Sequence, residues 1–151
     1  MPGIPSSETL LPVKARTLLN ESEQLLYARL VRAFPGHCIL AKVAMSQLLS
    51  VERAPTRRHS QYDANQLRQL YADFAVCAAD FSVVAVIEVD RRMRQREAHR
   101  VRDRWKNELL RAAGIDVIRI PCTDIPSEAA LGALVGIRSQ QTAYEEIRRA
   151  S

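Results

Sequence analysis

The most informative hydrophobic pattern of this chain lies within residues 72–90, where two apolar runs rich in Val and Phe flank a short turn. Runs of this length and composition are typical of β-strands, and their close spacing predicts a β-hairpin. Acidic residues stand at the outer ends of the hairpin. Asp73 begins the first run, and Glu88 and Asp90 end the second. The pattern therefore predicts an apolar hairpin with acids at the end away from its turn.

The spacing of these acids predicts that they share one face of the sheet. If a four-residue turn pairs Ala78 with Val83, antiparallel counting places Asp73 opposite Glu88. Opposed residues share a face, as do Glu88 and Asp90, which are two residues apart. Carboxylates this close repel each other unless a cation holds them together. A divalent metal site is therefore the first hypothesis.

Helices and further strands are predicted on both sides of the hairpin. Asn20 and Glu23 have the spacing of a capping box before an apolar helix, which should end at Pro35 and Gly36. The other predicted elements are a strand at residues 38–43, short helices at 45–51 and 65–70, a helix at 96–113, a strand at 115–120, and a last helix from Ser127 to about Arg149. Together with the hairpin, these elements predict a mixed α/β domain.

The helix at residues 96–113 has two predicted faces. An apolar stripe, expected to pack against the core, consists of Val101, Trp105, Leu109 and Ala112. A polar face on the opposite side, expected to look toward the acids, consists of His99, Asp103 and Lys106. Side chains three and four residues apart lie together on a helix, so these two groups follow directly from the spacing.

The composition is that of an ordinary soluble globular protein, with 47% hydrophobic and 26% charged residues in 151. This length predicts one domain with its own core. The apolar runs are far shorter than the roughly 18 residues that span a bilayer. The N-terminal sequence lacks the basic start and apolar block of a signal peptide. We therefore expect a cytoplasmic protein that does not contact a membrane.

The cysteines and histidines do not predict a site of their own. Cys38, Cys77 and Cys122 are widely spaced and contain no CxxC pair, and their apolar surroundings predict small, reduced core residues. No histidine forms a nucleophile–base pair with a serine or cysteine that the sequence supports. Phosphate-binding loop, dinucleotide-binding and zinc-protease motifs are absent from the sequence.

Basic residues follow the acids directly along the chain. The net charge is +5, and the segment from Arg91 to Arg104 contains seven arginines and two acids. Arginine suits two-pronged contacts with phosphate, so this segment is a candidate nucleic-acid contact. The candidate residues are Arg92, Arg94, Arg96 and Arg100. The alternative interpretation is a solvated helix face, because a basic patch alone does not establish nucleic-acid binding.

Four segments resemble a bacterial domain-of-unknown-function family of the restriction-endonuclease-like PD-(D/E)xK superfamily. They read LLNESEQLLYARL, YADFAV, IEVD and RVRDRWKNELLRAAGIDVIRI. The chain is also similar to very-short-patch-repair-type endonucleases, and the resemblance extends from about Leu18 to Pro121. It implies an α/β restriction-endonuclease-like core, a central mixed sheet with a β-hairpin flanked by helices in the order α-β-β-β-α-β plus a C-terminal helix. The implied boundaries are a flexible tail at 1–15, a nuclease-like domain at 16–125, and a C-terminal helix at 126–151.

The resemblance also implies residue roles. Asp73 matches the first acid of the motif and Glu88 the second, while Asp90 occupies the usual place of the motif lysine. Glu23 matches a first-helix acid that related nucleases point toward the metal, and Lys106 is the candidate for a displaced catalytic lysine. The implied activity is hydrolysis of DNA phosphodiester bonds. The implied cofactor is Mg²⁺ or Mn²⁺, held by Asp73, Glu88 and Asp90.

One departure from the family pattern leaves alternatives open. Family members follow the IExD segment with another small acid or polar residue and then a histidine, whereas this chain continues with Arg91 and Arg92. Arginines beside the acids can pair with them and displace a metal. A catalytically degenerate nucleic-acid-binding module on the same fold is therefore the alternative, with a protein-interaction scaffold as a third choice. Because the short chain leaves little room for target recognition, a protein partner could supply specificity. The sequence does not determine the oligomeric state.

Overall fold

The structure is a computed structural model that describes residues 11–50, 65–91 and 97–135, without the side chains of residues 97–99. Its elements are α1 (Glu21–Ala33), β1 (Cys38–Ala44), α2 (Met45–Leu48), β2 (Tyr71–Cys77), β3 (Val83–Asp90), α3 (Glu97–Ala112) and β4 (Asp116–Pro121). Residues 65–69 and 128–135 are also helical. The predicted elements are confirmed in order and type, with ends that move by one to three residues. Most of the predicted tail, and the predicted last helix beyond residue 135, lie outside the described residues.

The four strands form one mixed sheet in the order β1-β2-β3-β4. β1, β2 and β3 are antiparallel to their neighbours, and β4 is parallel to β3. A parallel neighbour requires a crossover connection, which α3 supplies between β3 and β4. The predicted mixed α/β architecture, with the hairpin inside the sheet, is therefore confirmed.

The register of the hairpin agrees with the prediction except at its turn. The predicted pairing of Ala78 with Val83 is wrong, because Val83 lies opposite Cys77 and a bulge follows between Cys77 and Val76. The turn is therefore one residue longer than predicted, and Phe81 accommodates it with a φ of 66°. The bulge restores the predicted count, so that Phe74 lies opposite Ile87. Continued by one residue, this register places Asp73 opposite Glu88.

The sheet carries apolar clusters that helices cover. One cluster joins α1 and residues 128–135 to the sheet and includes Leu26, Leu30, Phe74, Ile87 and Leu131. The other joins α2, residues 65–69 and α3 to the sheet and includes Met45, Leu67, Val86 and Leu110. Burial of these side chains supplies the main driving force for folding. None of the helices in the described ranges is both long and apolar enough to cross a membrane.

The predicted orientation of α3 is confirmed in one respect and wrong in another: Lys106 faces the acids as predicted, but the apolar stripe is not the most buried face of the helix. Val101 is 59% exposed and Ala112 is exposed, whereas Lys106, Asn107 and Leu110 are the buried residues of this helix. Trp105 and Leu109 lie at the flank and pack partly against the second cluster. The reason is an ionic one, because the Lys106 ammonium finds a carboxylate partner in the sheet. The helix can therefore bury a lysine that the apolar pattern assigned to the opposite face.

The cysteines are closer together than their spacing in the sequence indicated. Cys38 and Cys77 lie directly opposite each other on β1 and β2, and both are free thiols. Cys77 is buried, and Cys38 and Cys122 are partly buried, in agreement with the predicted role as small core residues. Burial, together with the neighbouring Cys38, raises the pKa of the Cys77 thiol.

Candidate functional site at the end of the hairpin

The β-hairpin opens at the end where the predicted acids lie. Backbone pairing between β2 and β3 is recorded from Cys77 to Phe74, where Phe74 faces Ile87. Beyond this pair, the Asp73 carboxylate accepts a hydrogen bond of 2.8 Å from the Val89 N–H. A side chain of β2 thus binds the backbone of β3 where the pairing of the two strands ends. This arrangement fixes the Asp73 carboxylate at the margin of the two strands.

Glu88 is the most deeply placed acid of the hairpin, with 7% of its surface exposed. The Lys106 ammonium lies 2.8 Å from Glu88 Oε1 and donates a hydrogen bond of 3.2 Å to the Tyr71 carbonyl. The Lys106 ammonium is thus the charged partner of Glu88 Oε1. Burial raises the pKa of Glu88 to about 7, with the positive charge of Lys106 opposing this rise and Asp73 adding to it.

Glu23 on α1 serves both its helix and the site. Its Oε2 accepts a hydrogen bond of 2.9 Å from the Asn20 N–H, and the Asn20 side chain accepts one of 3.0 Å from the Glu23 N–H. The predicted capping box is therefore confirmed. The other carboxylate oxygen of Glu23, Oε1, lies 2.6 Å from the Lys42 ammonium and also contacts the Arg91 guanidinium. Burial acts to raise the pKa of Glu23, but the bonds and charges of these neighbours outweigh it and lower the pKa below its ordinary value.

Lys42 and Arg91 connect Glu23 to Asp73. The Lys42 ammonium lies 3.2 Å from Asp73 Oδ1, and the Arg91 guanidinium lies 3.9 Å from the same oxygen. Burial acts to lower the pKa of Lys42, but Glu23 and Asp73 raise it overall. Lys42 and Arg91 each contact both Glu23 and Asp73, and Lys106 pairs with Glu88 on the strand beside Asp73. We call these three acids and three bases the ion-pair cluster. Its members are Glu23, Lys42, Asp73, Glu88, Arg91 and Lys106.

The structure brings together some of the residues that the sequence predicted. Glu23, Asp73, Glu88 and Lys106 all belong to the ion-pair cluster. Asp90 ends β3 in a partly buried position, and its carbonyl accepts a hydrogen bond of 3.2 Å from the Cys122 N–H. Among the described residues, no group of three His, Cys, Asp or Glu side chains is arranged to hold a metal ion.

Of the four arginines predicted to contact nucleic acid, one lies among the described residues. Arg100 is exposed on α3, whereas Arg92, Arg94 and Arg96 lie outside the described residues. Arg91, which begins the arginine-rich segment, pairs with Glu23 and approaches Asp73. The pairing that the sequence indicated between arginines and the acids is therefore seen at Arg91.

Lys42 is the member of the ion-pair cluster that sequence reasoning missed. It is the one charged residue within the apolar β1 sequence CILAKVA. A lysine in a partly buried strand requires an acidic partner, so this position could have been matched with the acids of the hairpin. The signal was weak, because the sequence does not show which helix or strand lies beside β1.

The comparisons place this site within a family. The chain matches, over residues 15–133, the model of a family described as "Protein of unknown function (DUF2726)". The chain belongs to the DUF2726 family. The DUF2726 match includes every member of the ion-pair cluster and all four strands of the sheet. Searches of curated proteins and of solved structures found no match to the chain.

The acids of the ion-pair cluster in this DUF2726 protein are chemically compatible with a hard divalent cation. Asp73 and Glu88 are carboxylates on adjoining strands, and such oxygens are the ligands that Mg²⁺ prefers. The buried Glu88 Oε1 already pairs with the Lys106 ammonium, so a metal at Glu88 would have to share or displace this ion pair. The bases of the cluster hold the same acids by ion pairs in the structure, so a metal would have to compete with Lys42 and Arg91 for Asp73.

Proposed function

We propose that this protein is a metal-dependent nuclease that hydrolyses phosphodiester bonds in DNA on a restriction-endonuclease-like PD-(D/E)xK core. The observation that supports it most is the juxtaposition of Asp73 and Glu88 where the hairpin opens, with Lys42 beside the first acid and Lys106 beside the second. Two acids with a lysine beside them are the elements that the sequence resemblance implied. The order α-β-β-β-α-β of the main elements is consistent with the proposed core.

Each residue of the cluster has a part in the proposed hydrolysis. Asp73 and Glu88 would hold Mg²⁺ or Mn²⁺, which when bound lowers the pKa of a water molecule and stabilises negative charge on phosphate. Asp90 is the further ligand that the sequence resemblance implied. Val89 and Lys106 hold Asp73 and Glu88 in position through their contacts of 2.8 Å. Glu23 keeps positive charge at the mouth of the site through Lys42 and Arg91.

The proposed substrate follows from charge. The chain carries a net charge of +5, and its densest basic segment directly follows β3. Phosphate backbones attract such segments without regard to base sequence. Arg100, which is exposed on α3, extends this basic character beyond the cluster. A polyanion such as DNA is therefore the substrate class that the charge distribution favours.

One observation favours a second function, that of a catalytically degenerate nucleic-acid-binding module. Glu23, Asp73 and Glu88 each have a basic partner within 3.2 Å. A fully paired array can be a structural feature that replaces a lost metal site. This alternative predicts salt-sensitive DNA binding that does not depend on metal.

Cleavage of labelled DNA tests the proposal. Duplex, nicked, branched and single-stranded DNA would each be incubated with Mg²⁺ or Mn²⁺ and with wild-type protein, Asp73→Asn or Glu88→Gln. Asp80→Asn is the matched control, because it makes the same chemical change at the turn of the same hairpin, where Asp80 contacts only Ser82 among the contacts described. We expect wild type and Asp80→Asn to cut, and a loss of roughly 100-fold or more in both site variants.

The outcomes separate the two functions. Calorimetry with Mn²⁺ should show binding to wild type and Asp80→Asn and none to Asp73→Asn, with intact folding checked by circular dichroism. If wild type retains DNA in a gel shift but neither cuts it nor binds Mn²⁺, the degenerate module replaces the nuclease. If wild type neither cuts nor retains DNA, both nucleic-acid functions are rejected.

A further inference from the structure

Lys42 has an unusual backbone conformation for a residue within a strand. Its φ is 52°, in the left-handed region that non-glycine residues seldom adopt. Pairing with β2 holds on both sides of it, since Ala41 lies opposite Phe74 and Val43 lies opposite Ala72. The strand therefore departs from regular geometry at one residue and then continues. Such a conformation costs about 1–3 kcal/mol and persists only where the surrounding structure enforces it.

The left-handed residue sits at the most charged point of the sheet. Lys42 is the position that the register places opposite Asp73, and its ammonium lies 2.6 Å from Glu23 and 3.2 Å from Asp73. The ammonium therefore links α1 to β2. About a quarter of the side chain, 27%, remains exposed, so solvent and ligands have access to it.

Lys106, unlike Lys42, is almost completely buried. Its side chain is 8% exposed, and its ammonium contacts Glu88 and the Tyr71 carbonyl. A cation so enclosed can hold Glu88 in place, but a phosphate group could reach it only if α3 moved. The sequence resemblance implied that Lys106 acts directly in catalysis, and the burial of Lys106 argues for a supporting part instead.

We propose that Lys42 is the lysine that contacts the phosphate being cleaved, and that Lys106 is a positioning residue for Glu88. This inference rests on the proposed nuclease function and identifies which lysine contacts the phosphate in that reaction. In the reaction, the oxygen of water forms a bond to phosphorus while the bond to the leaving sugar oxygen breaks. The attacking water releases a proton to solvent, and the leaving oxygen takes one up from solvent. The Lys42 ammonium donates hydrogen bonds to a phosphate oxygen throughout and keeps its proton. Entry of the phosphate shifts the ammonium from Asp73 toward the substrate and leaves Asp73 available to the cofactor.

The left-handed backbone conformation of Lys42 allows the side chain to be removed without adding backbone strain. Lys42→Gly removes the ammonium while placing glycine in a conformation that glycine adopts without strain. Lys42→Asn is the second variant, because asparagine also tolerates this region. Lys106→Met removes the buried ammonium and serves as the comparison. Each protein would be checked for folding, then assayed for single-turnover cleavage and, with Ca²⁺ replacing Mg²⁺, for DNA affinity across salt concentrations.

We expect Lys42→Gly to lose roughly 100-fold in cleavage rate and to reduce the salt dependence of DNA binding by about one phosphate contact. Added ethylammonium should restore part of the cleavage by Lys42→Gly, whereas tetramethylammonium at equal ionic strength should not. The reduced salt dependence is the result that a purely structural lysine would not give, because it reports a lost phosphate contact. Lys106→Met should weaken Mn²⁺ binding and should gain nothing from ethylammonium.

The failures of the two proposals are distinguishable. If wild type cuts and both Lys42 variants cut as fast, Lys42 has no such contact and the nuclease function stands. If Lys106→Met alone is rescued by ethylammonium, the roles of the two lysines are reversed. If wild type neither cuts nor binds DNA, the nuclease function fails and the assignment of Lys42 fails with it.

Discussion

Glu23 shows how one side chain can couple a helix end to a site. One of its oxygens closes the capping box with Asn20, and the other contacts Lys42 and Arg91. The carboxylate is nearly buried, so its charge requires these partners. The start of α1 and the charge of the cluster are consequently fixed by the same group. A change at Glu23 would disturb both, which makes it a poor choice for testing either one alone.

The stability of the metal-free protein should depend on the ionisation of Glu88. The pKa of Glu88 is about 7 in the folded state and 4.5 ordinarily. Between these two pH values, the folded protein therefore holds a proton that the unfolded chain has released. The associated stability is complete below pH 4.5 and is lost as the pH rises to about 7. At about 1.4 kcal/mol per pH unit, the loss amounts to at most about 3 kcal/mol.

Urea unfolding in EDTA, measured from pH 4.5 to 8, checks this prediction. Glu88→Gln should lack the loss over this range, whatever its absolute stability, because glutamine does not titrate. Glu128→Gln is the control, since Glu128 forms an exposed ion pair with Arg32 and should leave the wild-type profile unchanged. Equal pH profiles for wild type and Glu88→Gln would contradict the assignment.

At the scale of elements, the first turn of α1 should depend on Asn20. Asn20→Ala removes the acceptor for the Glu23 N–H and should lower the free energy of unfolding by about 1 kcal/mol. Asn20→Asp keeps an acceptor oxygen and should stay within a few tenths of wild type. Urea denaturation at neutral pH measures both variants. An Asn20→Ala protein as stable as wild type would mean that packing alone holds this helix end.

The sequence was informative where local chemistry decides structure and uninformative where distant neighbours decide it. The capping box and the hairpin register depend on a few adjacent residues, and both were predicted from spacing, except for the pairing at the turn of the hairpin. The orientation of α3 depends on the pairing of Lys106 with Glu88, which joins elements far apart in the chain. A periodicity argument assigns only apolar residues to the core, so it buried the stripe of Val101 and Ala112 and did not count Lys106 among the buried residues. Lys42 was missed for the same reason, because its partners lie on α1 and β2.

At the scale of the whole molecule, the predicted boundary of the domain at residue 125 can be tested. Leu131 and Val135 belong to the apolar cluster beneath α1, and Arg29 donates a 2.9 Å hydrogen bond to the Pro126 carbonyl. A chain ended after Ile125 loses these contacts. We expect it to lose at least about 3 kcal/mol of stability, since each buried aliphatic side chain contributes about 1.5–3 kcal/mol.

A chain ended after Val135 is the matched comparison, because it keeps all of those contacts. Thermal and urea unfolding of the two shortened chains measure the difference directly. If the chain ended after Ile125 is as stable as the longer one, residues 126–135 are an appendage and the predicted boundary is correct. A lower stability of the shorter chain would show that the folded unit includes residues beyond Ile125, in agreement with the family match, which ends at residue 133.

The bond between Asp73 and the Val89 amide has a practical consequence. An amide proton that is held by a carboxylate resonates and exchanges differently from one held by a neighbouring strand. In a ¹⁵N-labelled sample, the Val89 signal should therefore respond whenever a cation, a phosphate or a substitution draws Asp73 aside. The protein thus contains its own magnetic resonance probe, which can report events at the cluster before any substrate is known.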